Sequence, residues 1–214
     1  MTLSAAQQPG QDSASRILDV ATNLFAEHGF HGVTTRQLAA AAGLNIATVH
    51  HHVGTKGELY IKVMERLYEA ERELVGSFIE EIDQALARDA AAVRDLMVEL
   101  VDKLVDMTDA YPARARLYMR RWLDTEELSP REAEQTLSLY GAMRDMIQRA
   151  QGAGVIRKDL DPNLLLRSFD WLIYGYFVAG SFEAESWRSD PHDPGNLKSF
   201  KTFLHDYLCR MLGL

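Results

Sequence analysis

The chain has one cysteine, Cys209, among its 214 residues. A single cysteine excludes an intrachain disulfide and a metal cluster held by several cysteines. Long apolar runs are also missing, since no stretch approaches the ~18 residues that would predict a membrane span. The first residues lack the basic and then apolar regions of a signal peptide. We therefore expect a protein of the reducing cytoplasm with no membrane association.

The sequence also has little that indicates a β-sheet or an enzyme. We find no useful alternation of apolar and polar residues, no glycine-rich phosphate loop and no nucleophile elbow. Hydrophobic residues make up 47% of the chain, which is enough for a substantial core. In nearly every segment the hydrophobic residues recur at the spacing of a helix and not at that of a strand. The prediction is an all-α protein of about nine helices that is not an enzyme and has no cofactor.

The net charge of −8 is unfavourable for a nucleic-acid-binding protein, but it is unevenly distributed. Up to residue 57 three cationic and three acidic side chains cancel: Arg16, Arg36 and Lys56 against Asp12, Asp19 and Glu27. Five of the seven histidines also lie in this part. The chain thus begins with a neutral segment that can take up protons, and an acidic segment follows it.

Residues 33–59, VTTRQLAAAAGLNIATVHHHVGTKGEL, predict two short helices around a tight turn and the start of a third helix. Thr34 and Thr35 offer oxygens that can cap the first helix. Gly43 suits a left-handed turn position, and Asn45 is a good cap for the second helix. Because this second helix is short and polar, it is a better candidate for the DNA major groove than for a core.

Three consecutive histidines, His50, His51 and His52, lie in the second helix. Successive helical residues point about 100° apart, so three in a row cannot converge on one ion. We therefore expect no metal site there.

Further helix starts follow along the chain. Thr55 predicts the cap of a long helix that enters the rest of the chain without a flexible linker. Ser129-Pro130-Arg131-Glu132 has the pattern of a capping box, and Asp161-Pro162 begins another helix. Residues 183–196 predict a polar loop before the last helix. The predicted division is a disordered tail at 1–14, a helix-turn-helix domain at 15–58 and a helical body at 59–214.

These residues, taken in order, resemble the tetracycline-repressor (TetR) family of bacterial transcription regulators. A first helix ending near Gly29 precedes the helix-turn-helix segment, and a larger helical body follows it. Asn45 stands at the family's polar position after the turn, and Lys56 matches its lysine. His50 stands where the family usually has a tyrosine, and Val53 where it usually has a phenylalanine.

The resemblance implies a ligand-responsive regulator, most often a repressor, that binds a palindromic DNA operator as a homodimer. A small apolar or amphipathic effector would release it. The implied phosphate contacts are Thr35, Arg36, His50 and Lys56, and the implied base contacts are Asn45, Thr48, His51 and His52. The two C-terminal helices, at about 162–180 and 196–212, would form the dimer.

The body is rich in methionine and aromatic residues, which suits an adaptable apolar pocket. Taken singly, each such residue is more often plain core. Taken together, the candidates for an effector pocket are Met97, Tyr118, Met119, Trp122, Tyr140, Met143, Trp171 and Tyr174. The arginines at 114, 116, 120 and 121 could bind an acidic ligand, but a solvated helix face is the favoured interpretation.

Two alternatives come from other classes of protein. The neutral N-terminal segment and the missing tyrosine allow a helical small-molecule-binding protein whose helix-turn-helix does not read DNA. An all-helical enzyme that uses a cavity in the body is the other. Within the DNA-binding class, a role in organising the chromosome is a further possibility. For a DNA-binding dimer, the few cationic side chains of the helix-turn-helix segment predict that affinity depends only modestly on salt. The slope of the logarithm of the binding constant against the logarithm of the salt concentration should be on the order of −5.

Overall fold

The computed structural model describes residues 13–123, 130–182 and 188–213, apart from the side chains of residues 90 and 132. Within these ranges the chain forms α-helices and no β-strand, which confirms the all-α fold class. The helices are α1 Ser13–His28, α2 Thr35–Ala42, α3 Ile46–Val53, α4 Lys56–Leu86, α5 Ala90–Ala110, α6 Ala113–Leu123, α7 Pro130–Gly152, α8 Pro162–Ala179 and α9 Pro194–Leu212. None of these helices combines the length and the apolar character that a membrane span requires.

Two compact units divide the chain, and the boundary between Met64 and Glu65 lies inside α4. We call the first unit the head and the second the body. The predicted domain boundary after residue 58 falls slightly earlier in the same helix. Of the predicted tail, residues 1–12 lie outside the described residues, and Ser13 and Ala14 belong to α1.

The head has a small apolar core between α1, α2 and α3, which pack against one another pairwise. In α1, Ile17, Ala21 and Phe25 recur at helical spacing and are fully buried. Leu38 of α2 joins them. Tyr60, from the first turns of α4, meets the Phe25 ring edge-on at 5.2 Å between centroids. Burial of each large apolar side chain contributes about 1.5–3 kcal/mol, which offsets the low intrinsic stability of such short helices.

Side-chain caps fix where the helices of the head begin. Thr34 caps α2: its Oγ1 accepts a hydrogen bond from the Gln37 amide at 3.2 Å, while its own amide donates to Gln37 Oε1 at 2.8 Å. Thr55 and Glu58 form the same reciprocal pair at the start of α4. The predicted cap at Thr55 is thus confirmed. Between α2 and α3 the chain turns at Gly43, whose left-handed φ of 66° is one that glycine adopts without a steric penalty.

In the body α8 is the central helix, since it packs against α5, α6 and α7. This position explains why its sequence is apolar on more than one side. Leu165, Ile173 and Phe177 are among the residues that it buries. The last helix, α9, packs on α5.

The polar loop expected at 183–196 ends earlier than predicted, and its residues 183–187 lie outside the described residues. Asp193 caps α9 by accepting hydrogen bonds from the amides of Gly195 and Asn196. Pro194 at the first helical position supports the same start. The predicted cap at Ser129 lies outside the described residues, and α7 is described from Pro130.

Candidate DNA-binding helix and body cavity

The orientation of α3 is set by two valines. Val49 and Val53, one helical turn apart, are each 1% exposed and belong to the head core. The other side of the eight-residue helix is open to solvent. Its exposed residues are Asn45 at the cap, Ile46, Ala47, His50, His51 and His52, while Thr48 is half-buried. Because the apolar side of α3 is so narrow, nearly all of its polar side chains face solvent.

Asn45 and Thr48 form a local pair at the start of α3. Asn45 Oδ1 accepts from the Thr48 amide at 2.8 Å and from the Thr48 hydroxyl at 3.0 Å. The cap therefore occupies the Asn45 oxygen and the Thr48 hydroxyl proton. The Asn45 amide nitrogen remains as an outward donor, and the Thr48 oxygen keeps acceptor capacity.

The three histidines at the end of α3 all have exposed side chains. The rings of His51 and His52 lie 5.5 Å apart between centroids. The backbone carbonyl of His50 accepts from the Gly54 amide at 2.9 Å, which closes the last turn of the helix. Across the described residues no group of three or more His, Cys, Asp or Glu side chains is arranged to hold a metal ion.

Lys56 has a structural contact that sequence reasoning missed. Its ammonium donates to the carbonyls of Phe30 and Val33, both at 3.0 Å, and lies 4.2 Å from the centre of the Phe30 ring. The side chain thus connects the start of α4 to the loop between α1 and α2. An ammonium has three N–H groups, so one remains for another acceptor. Thr35, the first residue of α2, is half-buried, and Arg36 beside it is exposed.

The head therefore has the geometry of a helix-turn-helix DNA-binding unit, with α3 as the helix that faces outward. A family model described as "Bacterial regulatory proteins, tetR family" matches residues 17–63, which is nearly the whole described head. The HTH-type transcriptional repressor AcnR of Corynebacterium jeikeium (strain K411) is 26% identical over 159 residues, which cover 74% of this chain and 76% of that protein.

Solved structures of transcription regulators have the same fold. The ketosteroid transcriptional regulator KstR2 of Mycobacterium tuberculosis matches with a TM-score of 0.67 and 17% identity, covering 98% of this chain and 96% of that one. AibR in complex with isovaleryl coenzyme A and operator DNA matches with a TM-score of 0.65 and 18% identity, covering 92% and 97%.

The chain is a DNA-binding transcription regulator, and its head, over residues 17–63, matches the DNA-binding segment of the TetR family. The prediction of a regulator rather than an enzyme is confirmed by the relatives, which are named as transcriptional repressors and regulators.

The body contains a cavity of about 90 Å³ between α4, α5, α7, α8 and α9. Its wall is mainly apolar, with Leu100, Met146 and Phe169 among the contributors. Of the predicted pocket residues, Met97, Met143 and Tyr174 line it, whereas Tyr118, Met119, Trp122, Tyr140 and Trp171 do not.

Most of the remaining candidates form an aromatic cluster beside the cavity. The Tyr118 ring stacks on Tyr174 at 4.8 Å, and Trp122 meets Tyr174 at 5.5 Å and Trp171 at 5.3 Å. Tyr174 thus has one side toward the cavity and another toward this cluster. Met119, on the neighbouring α6, is half-buried.

A buried ion pair lies where α4 meets α6. Glu71 Oε2 accepts from Arg114 Nη2 at 2.9 Å and from the Tyr118 hydroxyl at 2.7 Å, and Tyr174 adds a longer contact at 3.4 Å. The side chains of Arg114 and Glu71 are only 3% and 7% exposed. Removing one partner of such a pair typically costs about 3–5 kcal/mol. The interpretation of the arginines as a solvated face is therefore wrong for Arg114, and also for Arg121, which is buried.

A second acidic group, Asp170 of α8, lines the same cavity. Its Oδ2 accepts from the Tyr140 hydroxyl at 2.7 Å and lies 3.3 Å from Arg167 Nη1. Burial raises the pKa of Asp170 to about 7, and the charge of Glu71 adds to the increase, while Tyr140 and Arg167 oppose it. Burial, together with the neighbouring Asp170, raises the pKa of Tyr140 above its ordinary value, so the phenol stays protonated and donates.

Neither Glu71 nor Asp170 was among the predicted site residues, although the sequence carries a signal for both. Glu71 lies four residues after Leu67 and four before Val75, which places it on the buried stripe of α4. Asp170 is the one acidic residue in α8, a helix that is mainly apolar. An acidic residue on a core-facing position is a candidate functional group.

The raised pKa of Asp170 gives a test through stability. The unfolded chain loses this proton near its ordinary pKa of 3.8, and the folded chain loses it only near 7. The contribution of this group to stability is therefore complete below pH ~4 and is lost as the pH rises through about 7. The asparagine of Asp170→Asn cannot ionise, so this variant does not lose that stability. We therefore expect the melting temperature of Asp170→Asn minus that of the unchanged protein to increase from pH 4 to pH 8. The corresponding change in the free energy of unfolding is at most about 4 kcal/mol.

Asp145→Asn is the matched control, because Asp145 is an exposed acid of the body that pairs with Arg144 at the surface. Its difference from the unchanged protein should vary much less over the same range. Parallel melting curves for Asp170→Asn and the unchanged protein at every pH would contradict the assignment.

Proposed function

We propose that this regulator is a homodimeric repressor that binds a palindromic operator in double-stranded DNA and is released by a small apolar or amphipathic effector. The observation that carries the proposal is the orientation of α3, which buries Val49 and Val53 and exposes its polar residues. A protein of this kind acts in the cytoplasm, where bacterial DNA lies.

The base contacts come from the exposed side of α3 in the major groove. Since the cap occupies the oxygen of Asn45, this residue reads bases through its amide nitrogen, as a donor. His51 and His52 add exposed imidazoles, and the half-buried Thr48 adds an acceptor. Ile46, which is 49% exposed, offers an apolar contact of the kind that thymine methyl groups accept.

The phosphate contacts set the register of the head on the duplex. Arg36 is exposed and has the largest number of donors. Thr35 lies at the N-terminus of α2, where backbone N–H groups favour an anion. His50 replaces the family's usual tyrosine as a donor, and Lys56 contributes the one N–H that its contacts with Phe30 and Val33 leave over.

The dimer forms through α8 and α9. These helices carry large apolar side chains in contact with solvent, namely Leu164 at 69%, Trp171 at 46% and Phe203 at 50% exposure. Such a patch on a single chain is typical of a protein–protein contact. A two-fold dimer presents two copies of α3 and so requires a palindromic operator.

The effector binds in the cavity of the body. Its volume of about 90 Å³ is below the ~300–1,000 Å³ of typical ligand pockets. The cavity must therefore open, and Met97, Met143 and Met146 in its wall are flexible enough to repack. AibR, crystallised with isovaleryl coenzyme A, and the ketosteroid regulator KstR2 have the same fold, which supports an effector role for the body. Because α4 belongs to both units, it is the route by which an effector would change DNA binding, provided that the effector binds the two states unequally.

The phosphate contact of His50 is tested by measuring DNA affinity. The exposed imidazole can donate a hydrogen bond to a phosphate oxygen, and replacing it with a methyl group removes that donor. The test is fluorescence anisotropy at fixed salt with a duplex from the region upstream of the protein's own coding sequence. We expect His50→Ala to bind this duplex more weakly than the unchanged protein does.

His31→Ala serves as the control, since His31 is an exposed histidine of the head outside α3. It should keep the DNA affinity of the unchanged protein. Equal affinities of the unchanged protein and His50→Ala would remove the histidine contact. Binding no better than to an unrelated duplex would favour the alternative of a small-molecule-binding protein that does not read this DNA.

The dimer surface is tested by placing charge in it. Leu164→Asp and Phe203→Asp, combined in one chain, should shift the mass in solution from two chains to one, because a carboxylate buried in an apolar contact is strongly unfavourable. Light scattering after size-exclusion chromatography measures the mass. Leu137→Asp, at a position of α7 that is 72% exposed, should leave the mass unchanged. A dimer that survives the double substitution would show that another surface holds it together.

A further inference from the structure

The wall of the body cavity consists mainly of apolar side chains and includes a few polar ones. Most of its residues are leucine, isoleucine, valine, methionine or phenylalanine, and its polar groups are Glu71, Thr108, Asp170 and the hydroxyl-bearing Tyr174. Among the described residues, the charged side chains that line the cavity are thus both carboxyl groups. Arg114 and Arg167, their cationic neighbours, do not line it.

The two carboxyl groups differ in the number of hydrogen-bond donors and positive charges that contact them. Glu71 is held by Arg114 and by two tyrosine hydroxyls. Asp170 has fewer partners: its contacts with Tyr140 and Arg167, within the described part of the chain, both use Oδ2. Arg167 is a weak counter-charge, since 48% of its side chain is exposed and its distance to Asp170 is 3.3 Å. Asp170 Oδ1 therefore has capacity for a further donor.

From this arrangement we infer that the effector is a hydrophobic molecule with a protonated amine, and that its ammonium group binds against Asp170, with Glu71 nearby. The inference rests on the proposed function, because it names the chemical class of the effector for that same cavity. The apolar wall receives the hydrocarbon part of the molecule. The ammonium supplies the donor and the positive charge that the buried carboxyl group lacks.

An anionic effector fits this cavity poorly. A carboxylate or a phosphate brought into the cavity would meet Glu71 and Asp170, and like charges at short range in a low-dielectric site repel strongly. Burial already raises the pKa of Asp170, which agrees with a site that is short of positive charge. The cavity thus favours a different ligand class from the acyl coenzyme A bound by AibR.

The test uses three probes that share a phenyl ring and a two-carbon chain: 2-phenylethylamine, 2-phenylethanol and phenylacetate. Calorimetric titration of the full-length protein at pH 7.5 measures each affinity. We expect the amine to bind about tenfold more tightly than the alcohol, as one charge-assisted hydrogen bond allows, and phenylacetate to bind most weakly.

Asp170→Asn keeps an oxygen that can accept from Tyr140 but removes the charge. It should weaken amine binding about tenfold and leave alcohol binding within about threefold. Asp145→Asn, the surface control, should change neither. An amine that binds no better than the alcohol, phenylacetate as the tightest probe, or an amine preference that survives in Asp170→Asn would each overturn the inference. So would the absence of amine binding to the unchanged protein.

A parallel measurement of DNA affinity separates this inference from the proposed function. If the amine binds in the expected order but does not weaken operator binding, the ligand class stands and the proposed release mechanism fails. If operator binding is weakened by phenylacetate and not by the amine, the mechanism stands and the ligand class is wrong.

Discussion

The proposed DNA-contacting surface of α3 depends on the burial of two valines. An eight-residue helix is not stable on its own in water, because nucleation is costly and few hydrogen bonds repay it. Val49 and Val53 attach α3 to the head core, and the caps at Asn45 and Gly54 satisfy its ends. Since these residues suffice to hold the helix, its other positions can be polar and exposed. The Lys56 ammonium adds to the same arrangement by fixing the loop between α1 and α2 to the start of α4.

The body buries two acidic residues, Glu71 and Asp170, in an apolar core, and each needs compensating contacts. Glu71 is compensated by Arg114 and two phenols, whereas Asp170 is only partly compensated by Tyr140 and Arg167. A buried ion pair is seldom more stabilising than apolar residues of the same volume. We therefore interpret the polar side of the cavity as a feature of ligand recognition, and the surrounding methionines and leucines as the adaptable part of the wall.

The features that sequence reasoning predicted well are local. The caps at Thr34, Asn45 and Thr55 depend on side chains that bond to amides three residues away, so their sequence pattern is sufficient. The apolar residues on more than one side of α8 also indicated that this helix is buried. Features that depend on which helices meet could not be obtained in this way. The carbonyls that bind Lys56 lie 26 and 23 residues from it. Tyr118 and Trp122, which composition suggested for the pocket, instead lie in the aromatic cluster beside it.

The most direct measurement of the central account, that the exposed side of α3 reads operator bases, is selection of binding sites from random duplex DNA. The unchanged protein should enrich a two-fold symmetric site, and His51→Ala should alter the preferred bases at one position in each half-site while the spacing of the half-sites stays the same. Enrichment of no motif, or of the same motif by His51→Ala and by variants at Asn45 and Thr48, would contradict the account.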